Sequence, residues 1–388
     1  MKQHLIIYIM ALISLVSCRT DDYIVYIEDE DTGVKAEQTE VLGMYVLCEG
    51  NMGSNKCTLD YLDLSSQDGT IHYLRNIYAE RNPNEVKELG DVGNDAQIYG
   101  SRLWLVVNCS NKVEVLRASD AVKIGKVDVP NCRNVAFHKG FAYVTSYVGP
   151  VNVSQDAPLG QVYKIDTLTL KTVATITVGY QPEEMAVIDD KLYVANSGGY
   201  RAPDYDRTVS VINLNTFTEE RKIDVAVNLH RCRADRYGQL WVTSRGDYYE
   251  EPSHLCWLQK DDNGQMQRKG RIDVSLSDMC IVGDSLYFVG VQFNYVTMRN
   301  ERSMGIVNVR THEVVTIQLT KAAEAQAMIQ PYGIIVNPNQ RDFYLLDAKN
   351  YVSSGELLHF TADGMFDYKV RTGDIPAHAV FLTKPKRK

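Results

Sequence analysis

The 388-residue chain lacks the short motifs that mark most enzymes and nucleic-acid-binding proteins. It contains no H-E-x-x-H motif, no G-x-S-x-G motif and no glycine-rich loop of the kind that cradles phosphates. The stretch "SGGY" (197–200) lies between two strand patterns, not at a strand-to-helix turn, so it predicts no nucleotide site. The net charge is −8 and basic residues form no stripe, which excludes nucleic acid as an expected partner. We therefore expect a binding protein with no catalytic residues, cofactor or metal.

Cysteine is present, but not in the spacing of a metal or redox site. The eight cysteines include no C-x-x-C pair, and most lie in apolar, strand-like runs. This pattern predicts buried free thiols. Cys48 and Cys57 flank a loop, and a disulfide across that hairpin is the alternative.

The apolar run near the N-terminus, "LIIYIMALISLVS" (5–17), is too short to span a bilayer comfortably and follows Lys2. It predicts a signal peptide over residues 1–17. The four residues 15–18, "LVSC", resemble a lipobox, in which the cysteine becomes the acylated first residue of the mature protein. We therefore predict that Cys18 carries a lipid that anchors the protein in the outer membrane. A plain signal peptide that happens to contain a cysteine is the alternative.

Most of the negative charge lies directly after Cys18. Residues 19–40 contain eight acids against Arg19 and Lys35, a net charge of −6. Removing this −6 and the +1 of Lys2 leaves −3 for residues 41–388. Residues 18–40 are thus predicted to be the lipidated cysteine and an acidic, solvated tether, and residues 384–388 a basic tail. Acids soon after a lipidated cysteine also resemble the surface-export signal of Bacteroidetes lipoproteins, which indicates a location facing the cell exterior.

A repeat runs through the rest of the chain. Seven strand-like runs place an aromatic residue at one shared position, at intervals of 39 to 59 residues. Six of the seven runs are preceded by one short strand-like run, and each is followed by two more, after a variable loop and a turn. The seven aromatic residues, read as packing residues between repeats, are Tyr45, Trp104, Tyr143, Tyr193, Trp241, Tyr287 and Tyr344.

Units of four short strands at this period are typical of a β-propeller. The first unit lacks the strand before Tyr45, whereas a spare strand, "IPAHAVFLT" (375–383), ends the chain. We predict an all-β, seven-bladed propeller over residues 41–383, in which the C-terminal strand completes the first blade. Closing the ring in this way removes two exposed sheet edges.

The loops between the second and third strands are long for hairpins and rich in tyrosine. In a propeller these loops open on the same face as the turns that begin the innermost strands. Long loops on one face of a rigid scaffold favour a binding face, although they could also simply cover one another. The candidate ligand-binding residues from the turns and loops of this face are Asn94, Asp95, Arg133, Asn134, Tyr147, Glu183, Tyr200, Arg201, Tyr205, His230, Arg231, Arg245, Tyr248, Tyr249, Asp278, Tyr295, Tyr332, Tyr351 and His378.

Two features of this set suggest more specific roles. Tyr200 and Tyr205 belong to blade four and Tyr332 and Tyr351 to blade seven, nearly opposite in a seven-fold ring, so we expect a broad ligand held between them. Oxygen ligands on Asn94, Asn134, Glu183 and Asp278 could instead hold a hard cation. The arginine and histidine residues at the same end of the channel disfavour a bound cation.

The chain resembles the YncE-like (YVTN-repeat) propeller lipoproteins of Bacteroidetes, and most closely their surface cobalamin-binding, BtuG-type members. The matching stretches are "LCEGNMGSNKCTLDYLD", "LGDVGNDAQIYGSRLWLVVN", "VGYQPEEMAVIDDKLYVANSGGY" and "YGIIVNPNQRDFYLLDAKNYVSSGELLHF". The loops at 147–160 and 245–253 fall outside the resemblance. It implies capture of cobalamin or a related corrinoid and its delivery to a TonB-dependent outer-membrane transporter. A glycan- or protein-binding surface propeller is the second hypothesis, and a metal-dependent lactonase-type hydrolase the third.

The lipid anchor gives a direct prediction. Cys18→Ala should move the protein from the membrane fraction to the soluble fraction, because the acyl chains would be its only membrane contact. Cell fractionation with detection of the chain measures this. Cys57→Ala, which removes a thiol predicted to be buried, is the matched control. A Cys18→Ala protein that stays in the membrane fraction would contradict the anchor.

Overall fold

The computed structural model describes residues 28–35, 41–294 and 298–384. The chain forms seven antiparallel sheets arranged in a ring, which is a seven-bladed β-propeller. Six sheets have four strands and one has five. The innermost strands of consecutive blades contact one another all the way round the ring. The predicted fold and the number of blades are confirmed.

The strands are numbered along the chain and listed here from the central channel outward. Blade one contains β29 (Pro376–Thr383), β2 (Val41–Cys48), β3 (Thr58–Asp63), β4 (Thr70–Arg75) and β1 (Glu28–Lys35). Blade two contains β5 (Gly93–Tyr99), β6 (Arg102–Val107), β7 (Lys112–Arg117) and β8 (Lys123–Asp128). Blade three contains β9 (Cys132–His138), β10 (Phe141–Ser146), β11 (Leu159–Asp166) and β12 (Thr172–Tyr180). Blade four contains β13 (Pro182–Ile188), β14 (Lys191–Asn196), β15 (Thr208–Asn213) and β16 (Thr218–Asp224).

The remaining blades follow the same order. Blade five contains β17 (Leu229–Ala234), β18 (Leu240–Ser244), β19 (His254–Lys260) and β20 (Met266–Ile272). Blade six contains β21 (Asp278–Val282), β22 (Ser285–Asn294), β23 (Arg299–Asn308) and β24 (Glu313–Thr316). Blade seven contains β25 (Pro331–Val336), β26 (Phe343–Asp347), β27 (Ser354–Phe360) and β28 (Phe366–Asp374). Two short helices, α1 (Ile77–Arg81) and α2 (Ala323–Ala327), lie in connections between blades. Neither described helix has the length and apolar character needed to cross a membrane.

The repeated aromatic residues form the packing between blades. The core divides into seven apolar clusters, and each cluster joins two consecutive blades. Trp104 of blade two, for example, packs with Val135 and Val144 of blade three. Each cluster contains one of the seven aromatic residues, and all seven are buried. Because a large aromatic side chain at this position fills the gap between two sheets, its loss should cost about 3–5 kcal/mol.

The ends of the chain meet in blade one. Strand β29 pairs antiparallel with β2, and Val380 lies opposite Tyr45, as the sequence predicts. Asp60 of β3 secures the junction with blade seven, because its buried carboxylate accepts a hydrogen bond from Gly373 N at 3.0 Å. Two glycines let neighbouring blades approach closely. A Cβ at Gly160 or Gly355 would lie 2.1 or 2.3 Å from a ring carbon of the proline that begins the next innermost strand.

Part of the predicted tether belongs to the propeller. Residues 28–35 form β1, which pairs with β4 as a fifth, outermost strand of blade one, with Glu28 opposite Arg75. The acidic sequence of this strand has no apolar alternation, which is why it predicts a linker. Charged residues are nevertheless common on edge strands. Cys18, the rest of the tether and residues 385–388 lie outside the described residues. The seven described cysteines are free thiols, Cys48 and Cys57 among them, so the structure holds no disulfide between these two.

Ring closure can be tested by truncation. Deleting residues 375–388 should expose the edge of β2 and uncover the apolar faces of blades one and seven, with loss of cooperative unfolding or with aggregation. Thermal unfolding followed by circular dichroism, together with light scattering, measures both effects. Deleting only residues 385–388 is the control and should leave the transition unchanged. A protein without residues 375–388 that melts like the parent would rule out a closing role for β29.

Candidate functional site

One face of the ring carries a large open cavity of about 720 Å³. This is the face where innermost strands begin and second strands end, so the cavity lies over the central channel. Residues from all seven blades line it, from Glu49 and His378 of blade one to Tyr332 and Tyr351 of blade seven. A cavity of this size lies within the range of small-molecule sites, which is about 300–1,000 Å³.

The strand register separates lining residues from residues that join the blades. At one equivalent position, Asn94, Arg133, Glu183, His230, Ser277 and Tyr332 all line the cavity. At the next position along the strand, a carboxylate of every second blade accepts a hydrogen bond from a backbone N–H of the following blade. The three bonds are Val135 N to Asp95, Cys232 N to Glu184 and Ile334 N to Asp278, at 2.9–3.0 Å.

Of the candidate residues, the structure thus places Asp95 and Asp278 outside the cavity lining, where they join neighbouring innermost strands. Asn134 and Arg231 occupy the same equivalent position but do reach the cavity. Arg231 cannot accept the bond that a carboxylate accepts at this position, because a guanidinium has no acceptor atom.

Glu183 is the centre of a buried charged cluster at the cavity floor. Arg133 donates to its Oε2 from Nε and Nη2, at 3.2 and 3.1 Å, and Arg245 donates to Oε1 from Nη1 at 3.3 Å. The Tyr147 hydroxyl also donates to Oε1. Arg133 in addition donates to Asn94 Oδ1 at 3.0 Å. Tyr147 is itself buried beneath the cavity lining, so it positions Glu183 and Arg133 from below.

The electrostatics of this cluster are dominated by its arginines. Burial alone would raise the pKa of Glu183, but the charges of Arg133 and Arg245 outweigh it and hold the pKa at about 2. Burial, followed by the charges of Arg245, Arg231 and Arg133, lowers the pKa of His230 well below 6.5. At neutral pH the cavity floor therefore presents an ionised glutamate, arginines and a neutral imidazole.

The long loop of blade four, 197–207, places only one of its candidate residues in the cavity lining. Tyr200 lines the cavity, and its backbone N–H donates to Gln181 Oε1 at 2.7 Å. Gly198 has a φ of 56°, and a Cβ there would lie 2.2 Å from Asp206 N, so the bend requires glycine. Tyr205 and Arg201 point elsewhere. The Tyr205 hydroxyl bonds to Asp247 O, and the Arg201 guanidinium stacks on Tyr180, 3.7 Å from the ring centroid.

The loop of blade five forms the rim on the adjacent side. Asp247 Oδ1 accepts hydrogen bonds from the backbone N–H groups of residues 249, 250 and 251, each at 2.8 Å. This turn presents Tyr248 and Tyr249 at the cavity edge, with 53% and 86% of their surface exposed. Arg245, at the base of the loop, reaches the floor.

Across the ring, the tyrosines of blade seven form the opposite wall. Tyr332 and Tyr351 pack edge to face, with ring centroids 5.6 Å apart. The Tyr332 hydroxyl donates to Glu49 at 3.3 Å, and the Glu49 charge, followed by burial, raises the pKa of Tyr332 well above 10. Glu49 also lies 3.4 Å from His378 Nε2.

Glu49 is therefore a site residue that the sequence analysis did not single out. It follows β2 directly, at the start of a loop with no aromatic residue, so neither tyrosine content nor the strand-one position marked it. Further lining residues, marked neither as loop tyrosines nor by the strand-one position, are Met52, Val92, Asn108, Val151, Glu250, Glu251, Pro252, Ser253, Leu276, Val291 and Gln330. Tyr295, a candidate residue, lies outside the described residues.

The carboxylates considered for a cation are already neutralised by arginine. Glu183 pairs with Arg133 and Arg245, and Asp278 lies 3.1 Å from Arg231 and 3.5 Å from Arg233. Within residues 28–35, 41–294 and 298–384, no group of three or more histidine, cysteine, aspartate or glutamate side chains is placed to hold a metal ion. These ion pairs favour a role in binding polar groups over a role as metal ligands.

Comparisons with known proteins identify the fold and no family. No protein-family model matches the chain, and no curated protein sequence matches it. A candidate 6-phosphogluconolactonase from Bacteroides uniformis ATCC 8492 is similar to this chain in structure. The TM-score is 0.61 and the sequence identity 11%, over 89% of this chain and all of that one. A quinonprotein alcohol dehydrogenase-like protein from Bacteroides thetaiotaomicron VPI-5482 gives a TM-score of 0.60 and 11% identity, over 89% of this chain and 79% of that one.

A third similar structure is hydrazine synthase from Kuenenia stuttgartiensis, with a TM-score of 0.57 and 15% identity, over 74% of this chain and 88% of that one. Similarity at such low identity shows the propeller fold alone. The resemblance to surface cobalamin-binding propellers therefore stays a prediction.

The charge of Glu183 should be visible in the pH dependence of stability. Its pKa is about 2 in the folded chain against 4.5 for an ordinary glutamate, so its contribution is present above pH 4.5 and is lost as the pH falls towards 2. Glu183→Gln should lower the free energy of unfolding by roughly 3–4 kcal/mol at pH 7. The difference from the parent should shrink as the pH is lowered below 4.5.

Urea denaturation at several pH values between 7 and 3 measures this difference. Glu88→Gln, which changes an exposed glutamate, is the control and should match the parent throughout. A Glu183→Gln deficit that stays constant with pH would show that packing, not charge, explains the effect.

Proposed function

We propose that this protein captures a corrinoid such as cobalamin in the cavity and passes it to a TonB-dependent outer-membrane transporter. The observation that carries the proposal is one cavity of about 720 Å³ that is lined by residues from all seven blades and combines aromatic, amide and cationic side chains. The lipid anchor on Cys18 and the location at the cell exterior are parts of the same proposal. They would hold the binding face next to the transporter.

The shape of the cavity supports a broad ligand. Tyr200 approaches from blade four, and Tyr332 and Tyr351 from blade seven, three steps away in the ring. A corrinoid is a flat macrocycle fringed by amides, with a tail linked through a phosphodiester. Tyrosine offers a large, stiff contact surface with a polar tip, and it loses little conformational entropy on binding.

The polar lining supports the same ligand class. Asn94, Asn134 and Gln330 offer amide donors and acceptors that can pair with peripheral amides of the macrocycle. The floor is held in place without ligand, because Glu183 and Arg133 are fixed by Tyr147, Arg245 and Asn94. A floor arranged in advance keeps the entropic cost of binding low.

A surface glycan is the second candidate, and one observation favours it. Tyr248 and Tyr249 stand at the rim with 53% and 86% of their surface exposed, so their ring faces are free to stack on sugar rings. A lactonase-type hydrolase, the third hypothesis, has weaker support, since Glu183 and Asp278 are paired with arginines.

Binding can be measured directly. The purified protein should retain cobalamin after desalting, visible as corrinoid absorbance, and should give a 1:1 calorimetric titration. Tyr200→Ala and Tyr351→Ala should each weaken binding by about 1–3 kcal/mol, because each removes an aromatic contact from one wall of the cavity. Their melting temperatures should stay near that of the parent, because both residues are partly exposed and lie in loops.

Tyr237→Ala is the matched control, since Tyr237 is 45% exposed and lies in the turn between β17 and β18 at the other end of blade five. It should bind like the parent. If the parent does not bind cobalamin, the corrinoid proposal fails, and titration with a panel of host and dietary glycans tests the second candidate.

A further inference from the structure

The cavity floor on blade five contains more hydrogen-bond donors than the protein itself uses. An arginine side chain has five N–H donors. Arg133 directs its donors to Glu183 and Asn94. The two arginines of blade five, Arg231 and Arg245, are far less satisfied, and both line the cavity.

Arg231 is buried, with only 7% of its surface exposed. Its Nε lies 3.1 Å from Asp278 Oδ1 in an ion pair, but its side chain makes no hydrogen bond to any residue that the structure describes. The Asp278 carboxylate is shared, since it also accepts from Ile334 N and lies 3.5 Å from Arg233. A buried guanidinium with unused donors is costly unless something else supplies acceptors.

Arg245 lies on the same blade at the end of β18, with 29% of its side chain exposed. Among the described residues, the Arg245 side chain donates one hydrogen bond, from Nη1 to Glu183 Oε1 at 3.3 Å. Glu183 is already shared with Arg133 and Tyr147. The Nε and Nη2 donors of Arg245 therefore remain for a ligand.

His230 supplies a third group at the same place. It is the second residue of β17, the innermost strand of blade five, lies next to Arg231 and lines the cavity. Burial, followed by the charges of Arg245, Arg231 and Arg133, lowers the pKa of His230 and keeps its imidazole neutral. Its surroundings are thus electropositive.

The acidic groups of the cavity lie elsewhere or are engaged. Glu49 faces Tyr332 and His378 on the side of blades seven and one. On the rim of blade five, Glu251 lies 3.8 Å from Arg271, and Glu250 is exposed to solvent. An anionic group entering the cavity would find its free donors on the floor of blade five.

We propose that Arg231, Arg245 and His230 form an anion-binding subsite within the cavity, which takes an anionic oxygen group of the kind carried by a phosphodiester or a carboxylate. This inference rests on the proposed function and deepens it, because it predicts which part of a corrinoid faces blade five. The phosphodiester of the nucleotide tail would accept hydrogen bonds from both arginines, and the uncharged, amide-fringed macrocycle would lie against the tyrosines. Arginine forms paired hydrogen bonds to such groups with good geometry.

Two matched ligands test the subsite. Cobalamin carries the phosphodiester, whereas cobinamide keeps the macrocycle and its amides but lacks the nucleotide tail. Arg231→Gln and Arg245→Gln should each lower the affinity for cobalamin by about 10- to 100-fold, the effect of losing one charge-assisted hydrogen bond. The affinity for cobinamide should change less than about threefold in the same variants, which is within the scatter of neutral surface changes.

Arg236→Gln is the matched control. Arg236 lies in the turn between β17 and β18, at the opposite end of blade five, and pairs with Asp284 of blade six. It should bind both corrinoids like the parent. Thermal melting of each variant checks folding. If Arg231→Gln does not fold because Asp278 loses a partner, Arg245→Gln decides the outcome alone, since Arg245 is partly exposed.

Two results with corrinoids would overturn the subsite. One is an equal loss of affinity for cobalamin and cobinamide, which would place the arginines against the macrocycle. The other is no loss for cobalamin in either variant.

If the parent protein binds neither corrinoid, the proposed function is wrong. The anion-binding subsite is then tested separately. Inorganic phosphate and galacturonate are then titrated while the C2 proton resonance of His230 is followed by NMR. A saturable shift in the parent that is lost in Arg245→Gln supports the subsite, and the two anions distinguish phosphate from carboxylate recognition. No shift with either anion would overturn it.

Discussion

The structure depends on the burial of blades that are apolar on both faces. A single blade cannot cover its own faces, and a row of blades would leave the two end faces exposed to water. Only a closed ring gives every blade a neighbour on each side. The seven clusters between blades, each with one of the seven repeated aromatic residues, show that this requirement is met all round the ring. The pairing of β29 with β2 closes the last gap.

Ring closure also builds the site. Seven innermost strands begin at the same end of the channel, so one residue from each of six blades is brought to a common mouth although the residues are far apart in sequence. The next residue along the strand joins the blades instead, as Asp95, Glu184 and Asp278 do. A shift of one residue in register would exchange these two roles, so the packing that fixes the register also fixes the lining of the cavity.

The charged floor is stable without a ligand yet leaves donors unused. Glu183 pairs with both Arg133 and Arg245, and its low pKa keeps it ionised over the physiological pH range. Arg231 and the remaining donors of Arg245 are not matched in the same way. A site with fixed geometry and spare donors is suited to binding a ligand that brings acceptors, and it needs little rearrangement to do so.

The sequence by itself determined the seven repeats, the four strands in each, the buried aromatic positions and the closing role of residues 375–383. These features follow from the local alternation of apolar residues and from the period of the repeat, both of which are local properties of the sequence. Tertiary structure alone decided which polar residues share the cavity. It left Arg201 and Tyr205 outside the lining, placed Tyr147 beneath it and brought Glu49 to Tyr332, 283 positions away along the chain. It also made an edge strand of residues 28–35, whose acidic sequence has no alternation. The direction of a polar side chain depends on partners from distant blades, and no local pattern records those partners.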